Sequence, residues 1–220
     1  MDFLYCKPNV LIINSQYEII LNTVEEGVVY IKIGRRVFYE NHTGIMPSVS
    51  LVHKFRVPQR LLDEQKRYTV FYKRVFDRKI NFPVVGELQS ASFAFRPIEK
   101  TDEINVFYIA DIHTAWEKAE SVSRYYGDDR DLYIVTGAFA ESSSLENLRE
   151  LNRLIGNVTH GEIPAVVGRG NHDTRGKYAE KVTDYMATND GRAYFSFSAG
   201  QVWGMVFDCG EDKLDDHPEY

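Results

Sequence analysis

The feature that most constrains the fold of this chain is a change in the spacing of its apolar residues near residue 100. From Asn9 to Arg96, short apolar or alternating runs are separated by turn residues, which is the pattern of closely spaced β-strands. Beyond this point, apolar strands alternate with segments whose apolar residues recur at helical spacing. The polar, proline-marked stretch from Pro97 to Glu103 lies between the two patterns. The sequence therefore predicts two domains, over residues 1–97 and 103–220.

The first domain is predicted to be a β-sandwich of the fibronectin III or immunoglobulin type. Gly34-Arg35 joins two of its strands as a tight hairpin. The stretch from His53 through Val57-Pro58 to Tyr72 resembles the end of a fibronectin type III module, in which a proline-marked loop leads into a Tyr-rich strand. The predicted strands are Val10–Ile13, Tyr17–Asn22, Val28–Ile33, Arg36–Tyr39, Ser50–Arg56, Tyr68–Phe76 and Ser90–Phe95.

The second domain is predicted to be a layered α/β unit, because its strands are apolar throughout and are separated by helical segments. Ser143 and Glu146 form a capping box for the second helix. The predicted strands are Val106–Ala110, Leu132–Val135 and Ala165–Val167, the helices are Trp116–Tyr126 and Leu145–Ile155, and a hairpin follows at Ala193–Phe197 and Gln201–Phe207.

Composition narrows the class of protein and its partners. Hydrophobic residues make up 44% and charged residues 26%, a balance that is typical of a folded globular chain. The net charge of -6 argues against general nucleic-acid binding, which needs clustered Lys and Arg. Cys6 and Cys209 provide neither a disulfide framework nor a cysteine zinc site. Since no signal segment or membrane-spanning run is visible, we expect a cytoplasmic protein with no membrane partner.

Polar residues follow three of the predicted strands, and ligand sites in such sheets form at the carboxyl ends of strands. Asp111 and His113 supply one hard oxygen and one imidazole nitrogen, a pair that suits Mn, Fe or Zn. Asn171 adds a neutral oxygen ligand and His172 a proton carrier, while Asp173 is able to orient His172. We therefore predict that these side chains share one pocket.

Three sequence elements resemble the motifs of a known family. They are Asp111-Ile112-His113, Gly137-Ala138 and Gly170-Asn171-His172-Asp173. Their order, and the buried strand before each, are similar to the D-x-H, G-D and G-N-H-D motifs of the calcineurin-like metallophosphoesterases. The resemblance covers roughly Asn105 to Gly210, including a strand that ends at Asp208-Cys209-Gly210. A sandwich placed before such a domain resembles the purple acid phosphatases.

The resemblance implies a reaction and a set of roles. Asp111 and His113 would hold one divalent metal ion, Asn171 would hold a second, and the family's metals are Mn, Fe or Zn. A metal-activated hydroxide would attack the phosphorus of a phosphate ester, carried by a small molecule or a phosphoprotein. His172 would stabilise or protonate the leaving oxygen, with Asp173 orienting it.

The chain also departs from the family's pattern. Ala138 stands where the family has the aspartate that bridges both metals, and a methyl group cannot ligate a cation. Glu141 stands where purple acid phosphatases have their iron-binding tyrosine, so a purple Fe(III) centre is not expected. The family's later histidines, including a Gly-His-x-His element, have no counterpart before Tyr220, and we expect the domain to be C-terminally incomplete. The sequence thus predicts one bound metal or none, and impaired hydrolysis.

Simpler interpretations apply to the other polar and aromatic residues. Arg169 is expected to be solvated, with contact to a phosphate oxygen as the alternative, and Glu141 is not expected to replace the lost aspartate, because its loop would have to be rebuilt. Surface or packing roles are predicted for His42, His53, His160 and His217, and core or helix-packing roles for Tyr125, Tyr126, Tyr133 and Trp203.

Three functions stay open at the level of sequence. The first is a metal-dependent phosphoesterase, represented by a shortened or altered chain. The second is a non-catalytic relative whose sandwich or altered site serves binding. The third is an adhesion or scaffold protein whose function lies in the fibronectin-like domain.

Overall fold

A computed structural model describes residues 3–40, 44–99, 102–125 and 127–209. The predictions for His42, Tyr126 and His217 lie outside these residues, as does the end of the predicted second domain. The described residues form mixed β-sheets with few helices. No helix among them combines the length and the apolar character needed to cross a membrane.

The largest sheet has six strands in the order β5-β2-β1-β11-β10-β9. β1, β2 and β5 pair antiparallel, whereas β1, β11, β10 and β9 are parallel. The strands are β1 (Asn9–Ile13), β2 (Gln16–Asn22), β5 (Val52–Pro58), β9 (Val106–Ala110), β10 (Leu132–Thr136) and β11 (Pro164–Gly168). Each was predicted to within two residues at either end.

This sheet order corrects the predicted separation of the chain into a sandwich over 1–97 and a second domain over 103–220. Three strands of the first segment hydrogen-bond into the sheet that carries the predicted site strands. The physical reason lies in β1 and β2, which are buried along almost their whole length and so need cover on both faces. A two-layer sandwich with one solvated face does not provide it.

The remaining strands of the first segment form a five-stranded sheet, in which β3 (Gly27–Ile33), β4 (Arg36–Tyr39), β6 (Arg67–Asp77) and β7 (Val84–Val85) are neighbours and β8 (Gln89–Ala94) pairs with β6. Buried and less buried positions alternate along β3 and β6, as in a sheet with one covered face. The buried side chains of both large sheets belong to one hydrophobic core, and the rings of Tyr17 and Phe95 meet there with centroids 5.0 Å apart. A short helix, α1 (Gln59–Gln65), follows Pro58 where a loop was predicted.

Two helices accompany the parallel strands. α2 (Trp116–Ser123) ends earlier than predicted, and α3 (Leu145–Thr159) continues one turn further. The predicted capping box is displaced by one residue, because the Ser144 side chain accepts the N–H of Asn147 at 3.1 Å. The Ser143 hydroxyl instead donates to the backbone carbonyl of Asp173 at 2.7 Å. The start of α3 is thereby tied to the third predicted site loop. The predicted hairpin forms from β12 (Phe195–Ala199) and β13 (Val202–Val206).

The predicted packing roles of the other residues have mixed outcomes. Tyr133 is fully buried, and the buried ring of His53 contacts the Glu40 carboxylate through Nδ1 at 2.8 Å. Tyr125 and Trp203 are exposed, so of their two predicted roles the one as core residues is wrong, and the one in helix packing stays a prediction. Tyr125 lies beyond the end of α2, and Trp203 lies on a strand of the small two-stranded sheet, where the described residues offer less cover.

His160, which ends α3 in a left-handed conformation, provides a test of pH-dependent stability. The Nδ1 atom of His160 accepts a hydrogen bond from the Lys7 ammonium nitrogen at 2.8 Å, and its Nε2 atom lies 3.9 Å from the Asp128 carboxylate. Burial, followed by the charge of Lys7, lowers the pKa of His160; Asp128 and Glu162 oppose this shift, and Arg124 adds to it. The folded state therefore favours the neutral ring, and this contribution to stability is lost as the pH falls below the unfolded pKa of about 6.5.

We expect the free energy of unfolding to fall less between ~pH 7.5 and ~pH 5.5 in His160→Asn than in the parent. Asn tolerates the left-handed conformation and does not titrate, so the backbone is kept while the proton site is removed. Urea unfolding at the two pH values measures the difference. Equal losses in both proteins would show that His160 does not contribute.

Candidate functional site

The loops that follow β9 and β10 run side by side. The backbone N–H groups of Asp111, His113 and Thr114 donate to the carbonyls of Gly137, Ala138 and Phe139 at 2.9 to 3.0 Å. Asp111, His113, Thr114 and Ala138 have positive φ angles between 47° and 63°. Such angles turn the chain sharply, which lets the sequence leave the sheet immediately after each strand.

The loops after β10 and β11 approach each other through two glycines. A Cβ built on Gly137 would lie 2.4 Å from both the Cα and the N of Gly170. A Cβ on Gly170 would lie 2.9 Å from the Cα of Gly137. Because these neighbours are backbone atoms, only glycine allows the two loops to touch here.

Three side chains from these loops converge at the sheet edge. The Glu141 carboxylate lies 2.8 Å from His113 Nδ1 through one oxygen and 3.2 Å from His172 Nδ1 through the other. The two imidazole rings meet edge-on, with centroids 5.0 Å apart. Asp111 Oδ1 lies 3.9 Å from His113 Nε2. The predicted residues Asp111, His113 and His172 are therefore brought together, and Glu141 joins them.

Asp173 lies behind this cluster and is almost fully buried. Its carboxylate oxygens accept the N–H of Phe139 at 3.0 Å and of Gly170 at 2.8 Å. Burial raises the pKa of Asp173, while the N–H groups of Gly170, Phe139 and Ala138 oppose the shift. This carboxylate ties the second loop to the third; the orientation of His172 by Asp173 stays a prediction.

The remaining predicted residues lie along the same loops. Asn171 precedes a short 3-10 helix, His172–Thr174, and its backbone carbonyl accepts the Thr174 hydroxyl at 2.7 Å. Its role as a metal ligand stays a prediction. Arg169 is not simply solvated, because its guanidinium holds both oxygens of Asp208 at 2.7 Å. This pair fastens the segment after β13 to the loop after β11.

The donor set fits a divalent transition-metal ion. Ligand atoms of His113, Glu141 and His172 all lie within 4.8 Å of one another, and two imidazoles with a carboxylate suit Zn, Mn or Fe. His172 Nδ1 is buried and lacks a hydrogen-bond partner, although it lies within ion-pair distance of Glu141. A buried ring nitrogen that faces a carboxylate without a hydrogen bond is better satisfied by a shared cation. These residues therefore form a candidate metal site.

The sequence match decides the family. The profile described as calcineurin-like phosphoesterase matches residues 104–216, which is more than half of the chain. The chain belongs to the calcineurin-like phosphoesterase family. Members of this family use dinuclear metal centres, and the candidate site occupies the loops that carry the three family-like motifs.

Solved structures match this fold at low sequence identity. The purple acid phosphatase PPD1 from yellow lupin (Lupinus luteus) seeds superposes with a TM-score of 0.53 at 9% identity, over 89% of this chain and 43% of that one. The match to PhoD has a TM-score of 0.43 at 11% identity, over 89% of this chain and 49% of that one. The chain thus spans less than half the length of either structure. No curated protein sequence matches it.

Glu141 joins the cluster although the sequence predicted that it would not replace the lost aspartate. Its only local signal is a carboxylate three residues after Ala138, in a loop that follows a buried strand. The position of the Glu141 side chain depends on the left-handed turn at Ala138, which has a φ of 51°. The sequence motifs do not encode this turn.

Proposed function

We propose that this calcineurin-like chain forms the metal-binding part of a phosphoesterase that acts on phosphate esters, and that Ala138 impairs its hydrolysis. The observation that carries the proposal is the convergence of His113, Glu141 and His172 at the ends of strands that belong to the family's domain. When bound, a divalent cation would supply Lewis-acid polarisation of a phosphoryl oxygen and a nucleophile at neutral pH.

The chain's own residues have distinct parts in this proposal. His113, Glu141 and His172 would hold the cation, with Asp111 beside them, and Glu141 fixes the orientation of both rings. Asn171 is retained from the family pattern as a second ligand. His172 faces Glu141 and the cation site through Nδ1, and its other ring nitrogen, Nε2, is the proposed proton donor to the leaving oxygen.

Removal of the Glu141 charge tests the site. Glu141→Gln should weaken the binding of Mn²⁺ by at least about tenfold, because the amide keeps the shape of the side chain but not its charge. Isothermal titration calorimetry measures the change. Glu146→Gln, which removes an exposed acid from α3, is the matched control and should bind as the parent does. Unchanged affinity in Glu141→Gln would contradict the proposed site.

A second function is favoured by the residue at position 138. Ala138 is buried, and its methyl group offers no ligand atom where the family has the bridging aspartate. A non-catalytic relative, which binds a metal or a phosphorylated partner without turnover, is consistent with this substitution. Hydrolysis of 4-nitrophenyl phosphate by the Mn²⁺-loaded chain and by Ala138→Asp distinguishes the two: turnover that rises in Ala138→Asp supports the impaired phosphoesterase, and metal binding without turnover in either protein supports the non-catalytic relative.

Other parts of the functional prediction remain proposals. They are a substrate that is a small molecule or a phosphoprotein, a cytoplasmic location, and a relation of the five-stranded sheet and its neighbouring strands to fibronectin III domains.

A further inference from the structure

The hairpin of β6 and β7 carries the most exposed large apolar side chains of the described residues. β3 pairs with β6 only as far as Arg74, whereas Val75 and Asp77 pair with β7. Residues 75–85 therefore extend beyond β3 as a two-stranded arm. At its tip, the exposed fraction of Ile80 is 103% and that of Phe82 is 82%, each relative to the same residue in a fully exposed reference peptide. Large apolar side chains that are exposed to this extent are uncommon on the surface of a soluble protein.

A second loop adds to this tip. Arg78 donates to the backbone carbonyl of Met46 at 3.4 Å, which places the loop over residues 44–50 next to the arm. Ile45 and Val49 in that loop are exposed as well, and so is Phe76 at the base of the tip. We call Ile45, Val49, Phe76, Ile80 and Phe82 the tip cluster.

The apolar tip is flanked by positive charge. Between residues 73 and 83 the chain has Lys73, Arg74, Arg78 and Lys79 against Asp77 alone. Arg74 is paired with Glu25 at 2.6 Å, whereas Lys79 is exposed beside Ile80 at the tip. Although the whole chain has a net charge of -6, distant charges are screened within roughly 8 Å at physiological salt. At the tip itself Arg78 and Lys79 outnumber Asp77, and the local charge is therefore positive.

We propose that the tip cluster docks on an anionic lipid surface. An aliphatic and an aromatic side chain at the end of a projecting loop can enter the boundary between lipid headgroups and acyl chains, while adjacent Lys and Arg meet the lipid phosphates. A protein partner would need a groove to receive the same convex tip. Nucleic acid is disfavoured because three of the five side chains in the cluster, Ile45, Val49 and Ile80, are aliphatic and offer no stacking surface. This inference departs from the prediction of no membrane partner, which considered only spanning segments.

Vesicle binding tests the proposal. The whole chain is sedimented with vesicles of equal parts phosphatidylserine and phosphatidylcholine, and with phosphatidylcholine vesicles. We expect binding to the anionic vesicles, weakened by high salt. Ile80→Ser with Phe82→Ser should lower the partition coefficient by at least about tenfold. Arg78→Gln and Lys79→Gln should each lower it about fivefold. Val122→Ser, which removes an exposed apolar residue from α2, should leave it unchanged.

Several results would overturn the proposal. They are absence of binding to anionic vesicles by the parent, equal binding by the tip variants, or an equal loss in Val122→Ser. Analytical ultracentrifugation adds one more: self-association that depends on Ile80 and Phe82, without vesicle binding, would assign the tip to contacts between copies of the chain. Thermal unfolding checks that each variant keeps the parent's fold, and Lys79→Gln, as a single exposed change, keeps the test decisive if the double variant is unstable.

Discussion

Ala138→Asp should tighten the binding of Mn²⁺ about 10–100-fold or more, because a carboxylate would be added to the cluster at the position of the family's bridging ligand. The backbone suits the change: Ala138 has a φ of 51°, a conformation in which Asp is better tolerated than Ala. The same substitution should lower the metal-free stability by roughly 1–3 kcal/mol, since position 138 is buried and lies next to the Asp173 carboxylate. The variant should therefore depend on metal for its stability.

Calorimetric titration with Mn²⁺ and urea unfolding in the presence of a chelator measure the two effects. Ala138→Asn is the matched control, because it keeps the shape and the preference for positive φ but brings no charge; both of its effects should be smaller. Turnover of 4-nitrophenyl phosphate should rise in Ala138→Asp, and His172→Ala in that background should remove most of the gain. If neither affinity nor metal-free stability changed, position 138 would not face the site.

The strands of this fold, apart from the two-residue β7, were predictable from the sequence, but their assignment to sheets was not. The continuous apolar runs of β1 and β2 indicated buried strands, and the alternation along β6 indicated a half-buried one. The partner of β1, however, is β11, with Val10 opposite Pro164. Nothing local to either strand encodes such a pairing. Burial on both faces of β1 was the available clue that this strand belongs to a layered α/β sheet.

The candidate site was predictable in part for the same reason. Asp111, His113 and His172 each follow a parallel strand, and the carboxyl ends of neighbouring parallel strands meet at one sheet edge. Glu141 could not be assigned, because its position depends on the turn after Gly137 and not on distance along the chain. The pairing of Arg169 with Asp208 likewise requires knowledge of where the segment after β13 returns to the sheet.

Gly137→Ala should damage both the fold and the site, because the added methyl group would lie 2.4 Å from backbone atoms of Gly170. Backbone cannot move aside as a flexible side chain can, so the loops after β10 and β11 would separate, with a loss of roughly 1–3 kcal/mol in the free energy of unfolding. The same separation would pull Glu141 away from His172, and we expect Mn²⁺ affinity to fall at least about tenfold.

Gly86→Ala is the matched control. A Cβ at this position would have the Phe76 ring as its nearest neighbour at 3.4 Å, an ordinary contact, and stability should change by no more than about 0.5 kcal/mol. Urea unfolding and calorimetric titration measure both quantities, and a Gly137→Ala protein that kept the parent's stability and metal affinity would show that the close contact of these two glycines does not hold the site together.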